Sequence, residues 1–144
     1  MTSSEMAARR DHWLRAVGYG FLAEAATVVT IILIVTAHRF ALVRGLSDAN
    51  YAAFGALTGE IVGIIGGTLY TYLFARLLMR VVRGRFVAHG VVVALTAIAF
   101  SAAGSIAGHH AVPPAYLLAS ILKLAAGALA GFLASKPFAP AAVS

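Results

Sequence analysis

The sequence predicts an all-α membrane protein: a bundle of four transmembrane helices with both termini on the cytoplasmic side. Three observations predict this fold class. The composition of the 144 residues, 61% hydrophobic and 11% charged, lies outside the range of soluble globular domains. Four apolar stretches are each long enough to cross a bilayer as a helix, and none alternates apolar and polar residues as barrel strands do. Basic residues flank these stretches unequally.

The first predicted span covers residues 16–37. This run is longer than the ~7 to 15 apolar residues of a signal-peptide core and contains Glu24 near its centre, so we interpret it as a retained helix. The second span covers 51–78, and the third covers 86–108. The fourth covers 115–135 and follows Pro113 and Pro114, which lack backbone donors and suit a first helical turn. Backbone groups in lipid must be satisfied within the chain, so all four runs are predicted to be helical.

The lysine and arginine residues predict the orientation, because cytoplasmic loops of membrane proteins carry an excess of these residues. In an alternating four-span chain, one side would carry only Arg39 and Arg44. The other side would carry Arg9, Arg10, Arg15, Arg76, Arg80, Arg83, Arg85 and Lys136. The sequence therefore predicts a multi-pass protein of the cell membrane with cytoplasmic termini.

Three arginines at the end of the second span are spaced as neighbours on one helix face: Arg76, Arg80 and Arg83. The commoner reading of such a face is a cytoplasmic topology anchor; the other is a site for anionic lipid. The same placement of arginines at the ends of apolar runs accounts for the net charge of +6. We therefore expect the lipid bilayer, and no nucleic acid, as the partner of these charges.

Glycines recur every four residues in the second span, at Gly55, Gly59, Gly63 and Gly67, and the fourth span repeats the spacing at Gly127 and Gly131. Lipid tails are as apolar as leucine, so membrane helices associate through close contacts that small residues permit. These residues predict a packing groove, within one bundle or across a homodimer. A surface without side chains also allows helices to slide, which is the less common use.

Three ionisable residues interrupt the apolar runs: Glu24, Glu60 and Lys123. Counting residues from each helix end places them roughly 12, 14 and 12 Å deep, near the bilayer midplane. Charges there are costly and should face protein or water, so the three are expected to converge inside the bundle. Lys123 would neutralise one carboxylate, and the other would be protonated part of the time. The alternative is a buried pair and a neutral glutamic acid that only fix helix register.

Three histidines, His38, His109 and His110, are predicted near the outer ends of the first and third spans. They are weak candidates for a metal site, since their spacing is not that of a structural zinc site, and solvated loop histidines are the commoner reading. There is no phosphate-binding loop, metalloprotease motif or nucleophile elbow, so we predict no enzyme activity and no cofactor.

These features favour a small transporter or channel-like protein that uses Glu24 and Glu60 to bind a proton or cation, with Lys123 as counter-ion. Four spans enclose little volume, so a homodimer or a membrane partner protein is expected. The alternative is a non-transporting scaffold or accessory subunit that packs through its glycine faces. A third class, an enzyme acting on lipid, would require a polar cleft at headgroup depth.

Overall fold

The computed structural model describes residues 3–107 and 114–136, with side chains from residue 12 onwards. The described chain is helical: α1 is Ser3–Ala37, α2 is Asp48–Met79, α3 is Phe86–Ala107 and α4 is Pro114–Ser135. A π-helical turn, His38–Leu42, continues α1. Each of the four helices is long and apolar enough to cross a membrane, so this part of the predicted fold class is confirmed. The orientation of the bundle stays a prediction.

The helix boundaries differ from the predicted spans mainly at α1. This helix begins at Ser3, whereas the apolar run begins at residue 16, because a polar segment can be helical without contributing to hydropathy. The second helix begins earlier than predicted, where the Ser47 side chain accepts a hydrogen bond from the Asn50 amide and so caps the first turn. It ends at Met79, and the chain then turns through Gly84, whose φ of 96° favours glycine.

The helices alternate in direction, and their order around the bundle is α1, α2, α4, α3. One half of the bundle, which we call the closed half, contains the start of α1, the end of α2, the start of α3 and the end of α4. Its core is a cluster of buried apolar side chains that comprises Ala16, Ala75, Leu78, Met79, Val82, Val93 and Ala130. The other half, from Glu24 and Lys123 to the opposite helix ends, is called the open half.

Glycines bring backbones together in the closed half. A Cβ at Gly90 of α3 would collide with the carbonyl of Gly127 in α4, and the reverse also holds. Gly131 likewise leaves no room for a Cβ beside the start of α3, and a Cβ at Gly20 would lie 2.5 Å from the Val93 carbonyl oxygen. Such contacts between helices without intervening side chains are the usual way small residues stabilise a membrane bundle.

The open half is built differently. A Cβ at Gly55, Gly59, Gly63 or Gly104 would meet no heavy atom within 4 Å. Gly59, Gly63 and Gly104 face a cavity between the helices. Among the described residues, the close backbone contacts at glycines lie in the closed half.

Candidate ion-binding cavity

The central cavity occupies the open half and has a volume of about 580 Å³. All four helices line it, from Glu24 and Lys123 near the middle of the bundle to Ala56 and Ala115 towards the helix ends. The apolar part of the lining includes Phe100, Ile64 and Val28. The polar part consists of Glu24, Thr27, Glu60, Ser101, Ser105, Tyr116, Ser120 and Lys123. Mixed linings with a few polar groups are typical of small-ligand sites of this size.

A buried ion pair forms the floor of the central cavity. The Lys123 ammonium of α4 lies 2.6 Å from a carboxylate oxygen of Glu24 in α1, and the two residues are only 3% and 9% exposed. This pair joins helices on opposite sides of the bundle. The hydroxyls of Thr27 and Ser120 bond to their own helix backbones, Thr27 to the Ala23 carbonyl and Ser120 to the Tyr116 carbonyl. They therefore line the cavity without extending the ion pair into a larger side-chain network.

Gly67 makes room for the lysine side chain. A Cβ at this position would lie 2.7 Å from Cε and 3.3 Å from Nζ of Lys123. Thr27 packs against the same point from α1. The fourth glycine of the predicted groove thus contacts a charged side chain, and its absent Cβ is what lets the ammonium reach Glu24.

Glu60 lies on the wall of the central cavity, above the floor. It is exposed, and among the residues with described side chains no lysine, arginine or histidine lies within salt-bridge distance of it. The three ionisable residues predicted at the midplane therefore line one cavity, but only Glu24 and Lys123 touch. When all three are ionised, the lining carries one excess negative charge, which favours a proton or a cation in the cavity.

The sequence interpretation missed the contribution of α3. Ser101, Gly104 and Ser105 line the cavity from this helix, and Phe100 lies beside them. The spacing of Ser101, Gly104 and Ser105 places them on one helix face, so a search for a small polar stripe in the third span would have found them. Tyr116 of α4 also lines the cavity, and its hydroxyl donates a hydrogen bond to the Ile98 carbonyl of α3.

Among the described residues, three of the four glycines in the predicted α2 groove do not pack against another helix. Gly55, Gly59 and Gly63 have open space where a Cβ would be, and Gly59 and Gly63 line the central cavity. By contrast, Gly127 and Gly131 of α4 contact the α3 backbone closely. The same four-residue spacing therefore gives helix packing in α4 and cavity wall in α2.

The predicted histidine group is only partly within the described residues. The His38 ring stacks on Phe54 with 3.6 Å between ring centroids, and its buried Nδ1 has no hydrogen-bond partner among the described residues. His109 and His110 lie outside the described residues. Within residues 12–107 and 114–136, no three histidine, aspartate or glutamate side chains come together in a way that could hold a metal ion.

The predicted arginine face is shorter than expected. Arg76 and Arg80 line a second cavity of about 430 Å³ between α2 and α4. Arg83, which was expected on the same helix face, instead lies in the turn that follows Met79, because α2 ends there. The basic face therefore consists of two arginines.

No protein-family model, curated protein or solved structure matches this chain. The fold and the cavity therefore define the class to which the chain can be assigned. That class is the small all-helical membrane proteins with four apolar helices.

Proposed function

We propose that this chain is a small non-enzymatic carrier that binds a proton or a small cation in the central cavity. The observation that carries the proposal is Glu60: an ionisable carboxylate without a basic partner among the described residues, in a cavity whose floor is the Glu24–Lys123 pair. Carboxylates inside transmembrane helices are rare and mark ion and proton pathways. The excess negative charge attracts a cation into the cavity.

The two glutamates have different roles in this proposal. Glu60 accepts the incoming proton or cation, because it is exposed to the cavity. Glu24 is buried and already neutralised by Lys123, so a cation at the floor would compete with the ammonium for the same carboxylate. Glu60 and the ion pair line the same cavity, so a cation held at Glu60 would also act on the charges of the pair.

The closed half favours a carrier over an open pore. Leu78 and Val93 are fully buried in its core, and the Gly90–Gly127 contact leaves no gap between α3 and α4. The buried apolar core lies between Glu24 and the helix ends of the closed half, so transport of an ion past it requires the closed half to separate. Under the predicted orientation, the central cavity faces outward and the closed half faces the cytoplasm.

The proposal is tested with purified protein in liposomes that contain a pH-sensitive dye. After an imposed pH difference, the wild-type chain should dissipate the gradient, and Glu60→Gln should reduce the rate to that of protein-free liposomes. Asp48→Asn is the matched control, because Asp48 is an acid of α2 that lies outside the cavity. Its rate should equal that of the wild type. Replacing the imposed proton gradient with a sodium or potassium gradient separates proton from cation transport.

A non-transporting scaffold is the second candidate, and the open face at Gly55 favours it, since another helix could pack there without a clash. A scaffold would give no flux with the wild-type chain under any gradient. Its assembly with itself or a partner should instead be lost when Gly55→Leu fills that face. The carrier proposal predicts that Glu60→Gln keeps the oligomeric state of the wild type.

A further inference from the structure

The seam between α2 and α4 carries two further cavities, neither of which is lined by Glu24 or Glu60. The first is the Arg76–Arg80 cavity described above, which Leu73, Leu77 and Ala134 also line. The second is an apolar groove of about 570 Å³, lined by residues that include Ile65, Leu69, Leu122, Ala125 and Leu129. Both cavities are therefore formed by the same two helices.

The linings of the two cavities follow one another along α2, with residues 64–72 in the apolar groove and residues 73–80 in the Arg76–Arg80 cavity. Leu69 of the groove and Leu73 and Leu77 of the basic cavity are each four residues apart on this helix. Residues four apart in a helix lie on the same face, so the groove leads into the basic cavity. The twelve helical rises from Ile64 to Arg76 span about 18 Å. That length is close to the ~15 Å hydrocarbon thickness of one bilayer leaflet.

The chemistry changes from one end of this seam to the other. The groove is lined almost entirely by apolar side chains, and the alanines of α4 give it depth. At its end, two guanidinium groups line the adjoining cavity, and among the described side chains no carboxylate pairs with Arg76 or Arg80. Guanidinium groups bind phosphate through paired hydrogen bonds, which makes them suited to a phospholipid headgroup.

We propose that the α2–α4 seam binds one anionic glycerophospholipid, with an acyl chain in the apolar groove and the phosphate between Arg76 and Arg80. A second copy of this chain fits the seam less well. Two copies in the same membrane orientation that met through this face would bring four arginines together without a compensating carboxylate, and like charges repel. The apolar groove shares Ile64 with the central cavity, whereas Arg76 and Arg80 line only the basic cavity, so the headgroup site can be altered without changing the central cavity.

The test is native mass spectrometry of the full chain, delipidated in detergent and titrated with phosphatidylglycerol or phosphatidylcholine. The wild-type chain should retain one phosphatidylglycerol in preference to phosphatidylcholine. Arg76→Gln/Arg80→Gln should weaken phosphatidylglycerol binding about 30-fold, the loss expected for two arginine contacts with an anionic lipid. Arg83→Gln/Arg85→Gln removes the same charge from the adjoining turn, outside the cavity, and should leave binding unchanged.

A second variant keeps both arginines and fills the groove. Ala125→Phe should weaken phosphatidylglycerol binding, whereas Ala99→Phe, on the exposed side of α3 and outside the three cavities, should not. Equal losses for the two arginine pairs would mean a diffuse attraction to anionic lipid and would overturn the proposal. So would a wild-type dimer that Ala125→Phe converts to a monomer, because the seam would then be occupied by a second copy.

Discussion

Removal of the Lys123 ammonium should destabilise the bundle strongly, and the geometry of the ion pair sets the magnitude. At an effective dielectric constant of about 20, two charges 2.6 Å apart attract by about 6 kcal/mol. Part of that attraction offsets the cost of desolvating both groups. Lys123→Met leaves Glu24 buried and uncompensated, for which the typical cost is about 3–5 kcal/mol. We expect a loss of that size in the free energy of unfolding.

The double variant separates the ion pair from the packing around it. Glu24→Gln/Lys123→Met removes both charges and keeps the side-chain volumes similar, so it should lie within about 1 kcal/mol of the wild type. The coupling energy from the four proteins of this cycle should then be at least about 2 kcal/mol. A single variant measures two effects together: the loss of the ion-pair attraction and the cost of leaving the other charge buried without a partner. The cycle separates these two effects.

The unfolding free energies can be measured by titrating the protein in mixed micelles with a denaturing detergent. The sequence has one tryptophan, Trp13, which stacks on His89 of α3 with 4.2 Å between ring centroids. Its fluorescence therefore reports the separation of α1 from α3. A loss below about 1 kcal/mol for Lys123→Met would refute the reasoning, since the pair would then behave as a hydrated surface pair screened by cavity water.

The remaining predictions compare pairs of glycines in the same fold. Gly67→Ala should displace the Lys123 side chain and lower the free energy of unfolding by about 1–3 kcal/mol. Gly63 faces open space, so Gly63→Ala should be neutral or stabilising. Equal effects of the two substitutions would contradict the different surroundings of the two glycines. Gly127→Ala places a methyl group against the α3 backbone and should cost at least about 3 kcal/mol or prevent folding, as measured by size-exclusion chromatography. Gly104→Ala is its control and should elute as the wild type.

The sequence was sufficient to predict the helices, because an apolar run of adequate length has few other solutions in a membrane. It also placed Glu24 and Lys123 at similar depths, since depth follows from counting residues. Which helix face each residue occupies was harder to predict. Hydropathy along α2 does not tell whether Glu60 points at a basic partner or at the space between helices.

Glycine spacing illustrates the same gap. Gly59 and Gly127 belong to equivalent four-residue repeats, but one lines a cavity and the other contacts a backbone. The repeat predicts a helix face without side chains, but it does not predict whether that face contacts another helix or lines a cavity. The prediction for Arg83 was wrong for another reason. It extended the helical spacing past Met79, where α2 ends and the chain turns through Gly84.

The unequal packing of the two halves has an electrical consequence in a bilayer. Water that fills the central cavity down to Lys123 would carry the potential of the bulk solution to the middle of the bundle. A membrane voltage would then fall mainly across the closed half, where Leu78 and Val93 exclude water. A charge bound at Glu60 would sense little of that voltage, whereas one that leaves through the closed half would cross most of it. At about 2.3 kcal/mol per elementary charge per 100 mV, the membrane voltage would act chiefly on that second step.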